Sequence, residues 1–124
     1  MRSKYGNRIT YVDGIKFDSR KEAQYYIYLR ELERKGQITD LRLQVKFEII
    51  PAVYEDAVIH LKTKDKTVRK LAQSATHYIA DFVFVQDGKE VVVDVKSEAT
   101  RRKDAYVLKK KMMRAYLGIK IEEV

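Results

Sequence analysis

The 124-residue sequence contains no cysteine. Disulfides and thiolate metal sites are therefore excluded, and an intracellular setting is the default expectation. No apolar run approaches the roughly 18 residues of a membrane span, and no signal-peptide pattern opens the chain. Neither membrane insertion nor secretion is expected. Low-complexity tracts, internal repeats and linker-like stretches are also missing, so residues 1–124 are read as one domain, large enough to bury a real core. Acids are in deficit, with 18 Asp and Glu against 26 Lys and Arg and a net charge of +8. That balance points to a polyanionic partner, nucleic acid ahead of an anionic membrane surface.

The stretch Tyr78 to Lys96, YIADFVFVQDGKEVVVDVK, reads as two strands joined by a tight Asp87–Gly88 turn. A two-residue loop sets Gln86 opposite Lys89 and, further out, Asp81 opposite Asp94 on a non-hydrogen-bonded rung, where side chains come closest. Lys96 lies two residues beyond Asp94 on the same face. Ala80, Phe82 and Phe84 with Val91, Val93 and Val95 form the other, apolar face. Two carboxylates facing each other repel, so a sheet built only for stability should avoid them. They suit a hard divalent cation such as Mg²⁺, which takes oxygen ligands and usually one or two carboxylates. A lysine beside such a site can orient a water or neutralise a phosphate under attack. The structural alternative is an Asp–Lys–Asp ion cluster at the end of the sheet.

Upstream, residues 8–18 form a short hairpin around Asp13–Gly14 within an N-terminal arm, 1–18. Ser19-Arg20-Lys21-Glu22 is a capping box that opens a helix running to about Lys35 and stopping at Gly36. Glu22 has a capping role there, yet it shares a face with Tyr26 and Leu29 and so points to the sheet. Residues 41–50 alternate, with Leu41, Leu43, Val45, Phe47 and Ile49 forming one buried face. Pro51 ends that strand. Gln44 could approach the acids if this strand neighbours Tyr78's, although an exposed glutamine is the simpler account.

Residues 52–76 read as an excursion hairpin around Lys64–Asp65. Its Lys62, Lys64, Lys66, Arg69 and Lys70 suit either nucleic-acid gripping or a solvated loop. His60 and His77 lack metal-ligand spacing. A last helix is expected from about Glu98 or Thr100 to Leu117, stopped by Gly118, with Ala105, Leu108, Met112 and Ala115 as its apolar stripe. Arg101, Arg102, Lys103, Lys109, Lys110, Lys111 and Arg114 surround that stripe with Asp104 the sole acid among them. Such a dense like-charge run opposes helix formation, and phosphate contact is its natural use, a solvated face the alternative. Residues 119–124 close the chain as a strand.

The pattern Asp81, twelve residues, Asp94-x-Lys96 on consecutive strands resembles the PD-(D/E)XK signature of the restriction-endonuclease-like nucleases. Ala80 stands where proline is usual, and Asp94 where glutamate is more common. Element order strengthens the resemblance, since helix, strand, excursion, two strands, helix, strand is the αβββαβ order of that α/β fold, a mixed sheet flanked by helices. The acid of the first helix is matched by Glu22. The chain is most similar to small phage- and prophage-borne nuclease domains, through Asp13, Gly14, Phe17, Asp18, Ser19 and Glu22 and through Tyr78, Asp81, Phe82, Asp94, Val95 and Lys96. It is also similar in size and layout to archaeal Holliday-junction resolvases.

The resemblance implies a Mg²⁺-dependent phosphodiesterase acting on DNA, with Mn²⁺ expected to substitute, inside a bacterial or phage-infected cell. Its loosest implication is a homodimer on branched DNA. Asp81, Asp94 and the Val95 carbonyl would hold the ion, Glu22 would bind it through water or help a second ion, and Lys96 would orient the attacking water or stabilise charge on the transition state. Arg101, Arg102, Lys103, Lys109 and Lys110, with Lys62, Lys64, Lys66 and Arg69, would meet phosphates. The competing expectations are a non-catalytic nucleic-acid-binding module with a structural ion cluster and a basic assembly or ribosome-associated protein.

Overall fold

The computed structural model describes residues 8–124; the first seven residues of the expected N-terminal arm lie outside them. The chain starts with strands β1 (Thr10–Val12) and β2 (Ile15–Phe17), paired around a turn with φ of 53° at Asp13 and 75° at Gly14. Two consecutive left-handed residues make the turn that matches strand twist. Helix α1 (Arg20–Arg34) follows. The Ser19 hydroxyl accepts the Glu22 amide at 3.1 Å, and Gly36, at φ 75°, closes the helix as expected. Ala23, Tyr26 and Leu29 share its buried face with Glu22.

The remaining elements are β3 (Thr39–Ile50), β4 (Val53–His60), β5 (Asp65–Gln73), β6 (Thr76–Gln86), β7 (Lys89–Asp94), α2 (Glu98–Arg101), α3 (Asp104–Leu117) and β8 (Ile121–Glu123). Among the described residues the fold is thus mixed α/β, with three helices and a four-stranded sheet ordered β3-β6-β7-β8. β7 and β8 are parallel and the other neighbours antiparallel. β1–β2 and β4–β5 are separate two-stranded pairs. The turn between β6 and β7 falls at Asp87 (φ 52°) and Gly88 (φ 74°), and the register pairs Gln86 with Lys89 and Phe82 with Val93, as the sequence predicts. The excursion is a ribbon of two long strands, although its turn spans Leu61–Lys64 and Asp65 already pairs with His60 in the ladder.

A core lies on each face of the sheet. Phe17, Ala23, Tyr26, Leu29 and Ile38 pack against Phe82, Phe84, Val93 and Val95 on the α1 side. Met113 and Ile121 pack against Ile49, Tyr78, Ala80, Val83 and Val92 on the other. This division corrects two expectations. Ala80 does not share a face with Phe82 and Phe84, and the alternating residues of β3 split, Leu41 and Leu43 to the α1 side, Val45, Phe47 and Ile49 to the α3 side. Both strands change face at the same level. The register sets Leu43 opposite Phe82 and Val45 opposite Ala80, so Gln44 and Asp81 sit between the two regimes, and Gln44 has φ 52°. A non-glycine residue in the left-handed region breaks the period-2 alternation of a strand.

The last helix also departs from expectation, since α2 and α3 are separate. Lys103 is extended (φ −68°, ψ 132°) between them, and Asp104 stands in the first turn of α3, where its charge suits the helix dipole. The like-charge run Arg101-Arg102-Lys103 coincides with the break. Gly118 stops α3 in the left-handed region as expected. The expected stripe is rotated, with Met113 buried and Tyr106 and Met112 packed on the core, whereas Leu108 is 57 % exposed. Among the described residues no helix is long and apolar enough to cross a membrane.

Candidate active site

Asp81 and Asp94 lie where β6 and β7 part. Their backbone ladder ends at the Phe82–Val93 pair, one rung short of the acids. Beyond it the carboxylates replace the strand as partners for the amides. Asp94 Oδ1 accepts the Asp81 N–H at 3.0 Å, and Asp81 Oδ2 accepts the Val95 N–H at 2.9 Å. The two acids therefore satisfy buried main-chain donors that the divergence would leave unpaired. Asp94 is fully buried and Asp81 nearly so. Among the described residues Asp94 Oδ2 has no hydrogen-bond partner, so a charged, buried acceptor is left unsatisfied.

Lys96 Nζ stands 3.8 Å from Asp81 Oδ2 and 3.7 Å from Asp94 Oδ1. These are ion-pair distances beyond hydrogen-bond length. The ammonium also lies 5.8 Å from the centroid of the Tyr106 ring, within cation–π range. Tyr106 went unnoticed in the sequence, where it is one aromatic among nine tyrosines. Its hydroxyl donates to Glu123 at 2.8 Å, and burial, with that bond, pushes its pKa up.

Glu22 joins this group from α1. Its amide completes the Ser19 cap, whereas its carboxylate is turned to the sheet and accepts Gln44 Nε2 at 3.3 Å. The same Gln44 amide donates to Asp81 Oδ1 at 3.3 Å. Gln44 is thus exposed, as the simpler account expects, and also tied to both acids. Its left-handed backbone at the face change aims it there. Burial, followed by the charges of Asp81 and Asp18, raises the Glu22 pKa to about 7. Burial also raises that of Asp94 to about 6, against the opposing pull of Lys96. A crevice of about 250 Å³ opens here, lined by Asp18, Ser19, Glu22, Asp81, Val95 and Lys96 among others. A larger groove, about 930 Å³, lies between α3 and β8 and holds none of the three acids or Lys96.

The donor set fits a hard cation in a restricted way. The unpartnered Asp94 Oδ2 and the neighbouring Asp81 carboxylate offer oxygen ligands of the right hardness. Among the described residues no three His, Asp or Glu side chains converge closely enough to hold an ion between them. An ion would therefore rest on two carboxylates with main-chain and water oxygens, a usual arrangement for Mg²⁺.

The basic residues fall into two places. Arg101 is half-buried, with no hydrogen-bond partner for its Nε among the described residues, Arg102 pairs with Glu98 at 3.2 Å, and Lys103 precedes α3. Lys110 is held by Glu123 at 2.7 Å and Lys109 is half-buried. Lys62, Lys64, Lys66 and Arg69 are all exposed on the ribbon, apart from the acids. His60 contacts Asp65 at 2.7 Å, and His77 approaches Glu48 at 4.0 Å; neither joins the cluster.

Fold and cluster together define a mixed α/β domain with buried carboxylates and one lysine at a strand divergence. The chain belongs to the family described as protein of unknown function (DUF1064), which matches residues 2–124. No curated protein and no solved structure matches it.

Proposed function

We propose that this protein is a Mg²⁺-dependent DNA endonuclease with a restriction-endonuclease-like αβββαβ core. The carrying observation is the pair Asp81–Asp94 at the strand divergence, with Lys96 beside both and the buried Asp94 Oδ2 unsatisfied among the described residues. The order α1, β3, β6, β7, α3, β8, with the ribbon inserted after β3, supports the same reading. The net charge of +8 supports a polyanionic substrate. An intracellular role in a bacterial or phage-infected cell goes with it.

Asp81, Asp94 and the Val95 carbonyl would hold the ion, with Glu22 reaching it through water. A bound Mg²⁺ supplies Lewis-acid polarisation of the phosphate and a lower pKa for the attacking water. Lys96 Nζ, held by charge at distances too long for hydrogen bonds, can turn its protons to a phosphate oxygen or to that water. Glu22, with its pKa near 7, is suited to accept a proton from water at neutral pH. Gln44 fixes the Glu22 and Asp81 carboxylates relative to each other through one amide nitrogen.

One observation favours a second reading, a non-catalytic nucleic-acid-binding module. Lys96 is already within ion-pair range of both aspartates. The two readings separate on incubation with linear, flapped, forked and four-way DNAs in Mg²⁺ and in EDTA. Cleavage in Mg²⁺ or Mn²⁺ that disappears in EDTA and in Asp81→Asn supports the nuclease. Salt-sensitive binding with no cleavage of any substrate supports the module.

A further inference from the structure

β4 and β5 leave the sheet beyond the Ile50–Thr76 pair and pack chiefly on each other. Only Ala57 and Val68 are half-buried; every other ribbon residue is exposed. An isolated two-stranded ribbon is marginal in water, yet this one exposes Tyr54, Val58, Ile59, Leu61 and Leu71. Its charge is distributed unevenly. Near the sheet Glu55 faces Lys70 and Asp56 faces Arg69, whose guanidinium lies 4.3 Å over the Tyr54 ring. Near the tip, Asp65 is engaged by His60, and Lys62, Lys64 and Lys66 face no acid in the register. Leu61 begins the turn, with its N–H on the Lys64 carbonyl at 2.9 Å and 47 % of its surface exposed. The tip is therefore an exposed aliphatic side chain among three lysines.

A two-stranded ribbon fits a DNA groove, and proteins that grip bent DNA push apolar wedges between base steps with cations on the flanking phosphates. A second copy of the chain is a poorer occupant, because the cationic tip would meet a surface that is itself net positive. We propose that β4–β5 is a DNA-gripping arm whose tip enters a groove, with Leu61 wedged at a base step and Lys62, Lys64 and Lys66 on neighbouring phosphates. This rests on the reading that the chain acts on DNA and names the form it grips, duplex with a base step that unstacks cheaply, as at a junction or a pyrimidine–purine step. The ribbon leaves the sheet five residues along β6 from Asp81, about 17 Å of strand, so the arm grips outside the acidic crevice.

The test measures binding in EDTA, where no cleavage intervenes, to four-way and linear duplexes carrying 2-aminopurine at a pyrimidine–purine step. The wild type should raise 2-aminopurine fluorescence on binding. Leu61→Ser should abolish that rise and leave the salt slope intact. Lys62→Gln/Lys64→Gln/Lys66→Gln should flatten the slope of log K against log salt by up to about 2.7 and weaken binding at least about tenfold. An unchanged slope in the triple variant overturns the proposal, as does a fluorescence rise that Leu61→Ser retains. So does a shift of both variants from dimer to monomer in sedimentation with DNA binding intact, which assigns the ribbon to a second copy. Absence of wild-type cleavage in Mg²⁺ alongside the expected EDTA results defeats the nuclease reading and leaves the arm supported; absence of DNA binding defeats both.

Discussion

Glu22→Gln separates the cost of the buried carboxylate from its use. The Glu22 pKa is raised from an ordinary 4.5 to about 7, first by burial and then by Asp81 and Asp18. An acid whose pKa rises on folding is bound more tightly to its proton in the folded state, so its ionisation opposes folding. The penalty is absent below about pH 4.5, grows as pH rises to about 7, and is complete above that. At about 1.4 kcal/mol per pH unit the full value would exceed 3 kcal/mol; solvent entering the crevice reduces it to about 2–3 kcal/mol. Glutamine keeps the oxygen that accepts from Gln44 and the amide that bonds Ser19. The variant should therefore exceed the wild type only slightly near pH 5 and by the full amount at pH 8. At about 4 °C per kcal/mol for a domain of this size, the pH 8 gap in melting temperature is roughly 8–12 °C. Scanning calorimetry of both proteins in EDTA from pH 5 to 8 measures it. A gap that does not change with pH, or a variant less stable at pH 8, refutes the reasoning; if the proposed chemistry holds, the stabilised variant also loses most of its Mg²⁺-dependent turnover.

Asp81→Asn, Asp94→Asn and Lys96→Ala should each reduce cleavage of any DNA substrate at least about a hundredfold, measured with circular dichroism to verify the fold. Mg²⁺ should raise the wild-type melting temperature at pH 8 and raise it less at pH 5.5, because protons on Asp94 (about 6) and Glu22 (about 7) compete with the cation there; equal shifts at both pH values count against the site. Arg101→Gln/Arg102→Gln/Lys103→Gln should flatten the salt slope of DNA binding by up to about 2.7, and an unchanged slope counts against phosphate contact by these side chains.

Local chemistry made part of this molecule legible in its sequence. Asp-Gly turns fixed two hairpins because both central residues must be left-handed, and the turn in turn fixes every cross-strand pair as far as Phe82–Val93. Ser19 and Gly36 bounded α1 through the backbone groups they satisfy. The face change at Gln44 left no trace, because both faces of this sheet are covered by a helix. Leu43 and Val45 are apolar whichever core receives them, so the alternation of β3 continues across a reversal that hydropathy does not register. Gln44 also has no glycine or proline beside it to mark its backbone. In α3 two apolar stripes compete, and the packing of Met113 with Ile121 and the Tyr106–Glu123 bond select the one the periodicity did not favour. Those contacts are remote in sequence or depend on β8, so helical spacing alone does not contain them.

The face change also accounts for the placement of the acids and for how their substitution must be read. Where β3 and β6 reverse, β7 parts from β6, and the Asp81 and Val95 amides take carboxylate oxygens as partners. The cluster therefore holds up the sheet end, apart from the catalytic role proposed for it. Asp94 uses only Oδ1 for that task, and asparagine can supply the same oxygen. Asp81 uses both, Oδ2 for Val95 and Oδ1 for Gln44, so asparagine must give one up unless the exposed Gln44 amide turns over to offer its oxygen. Alanine at either position leaves a main-chain N–H buried and unpaired, at a cost of about 1–3 kcal/mol. Loss of cleavage in an alanine variant thus mixes a weakened sheet with a missing ligand. Asp94→Asn removes the charge and keeps the bond, so loss of both cleavage and the Mg²⁺ thermal shift there, with a metal-free melting temperature at or above wild type, is the result that only a cation-binding role for Asp94 produces.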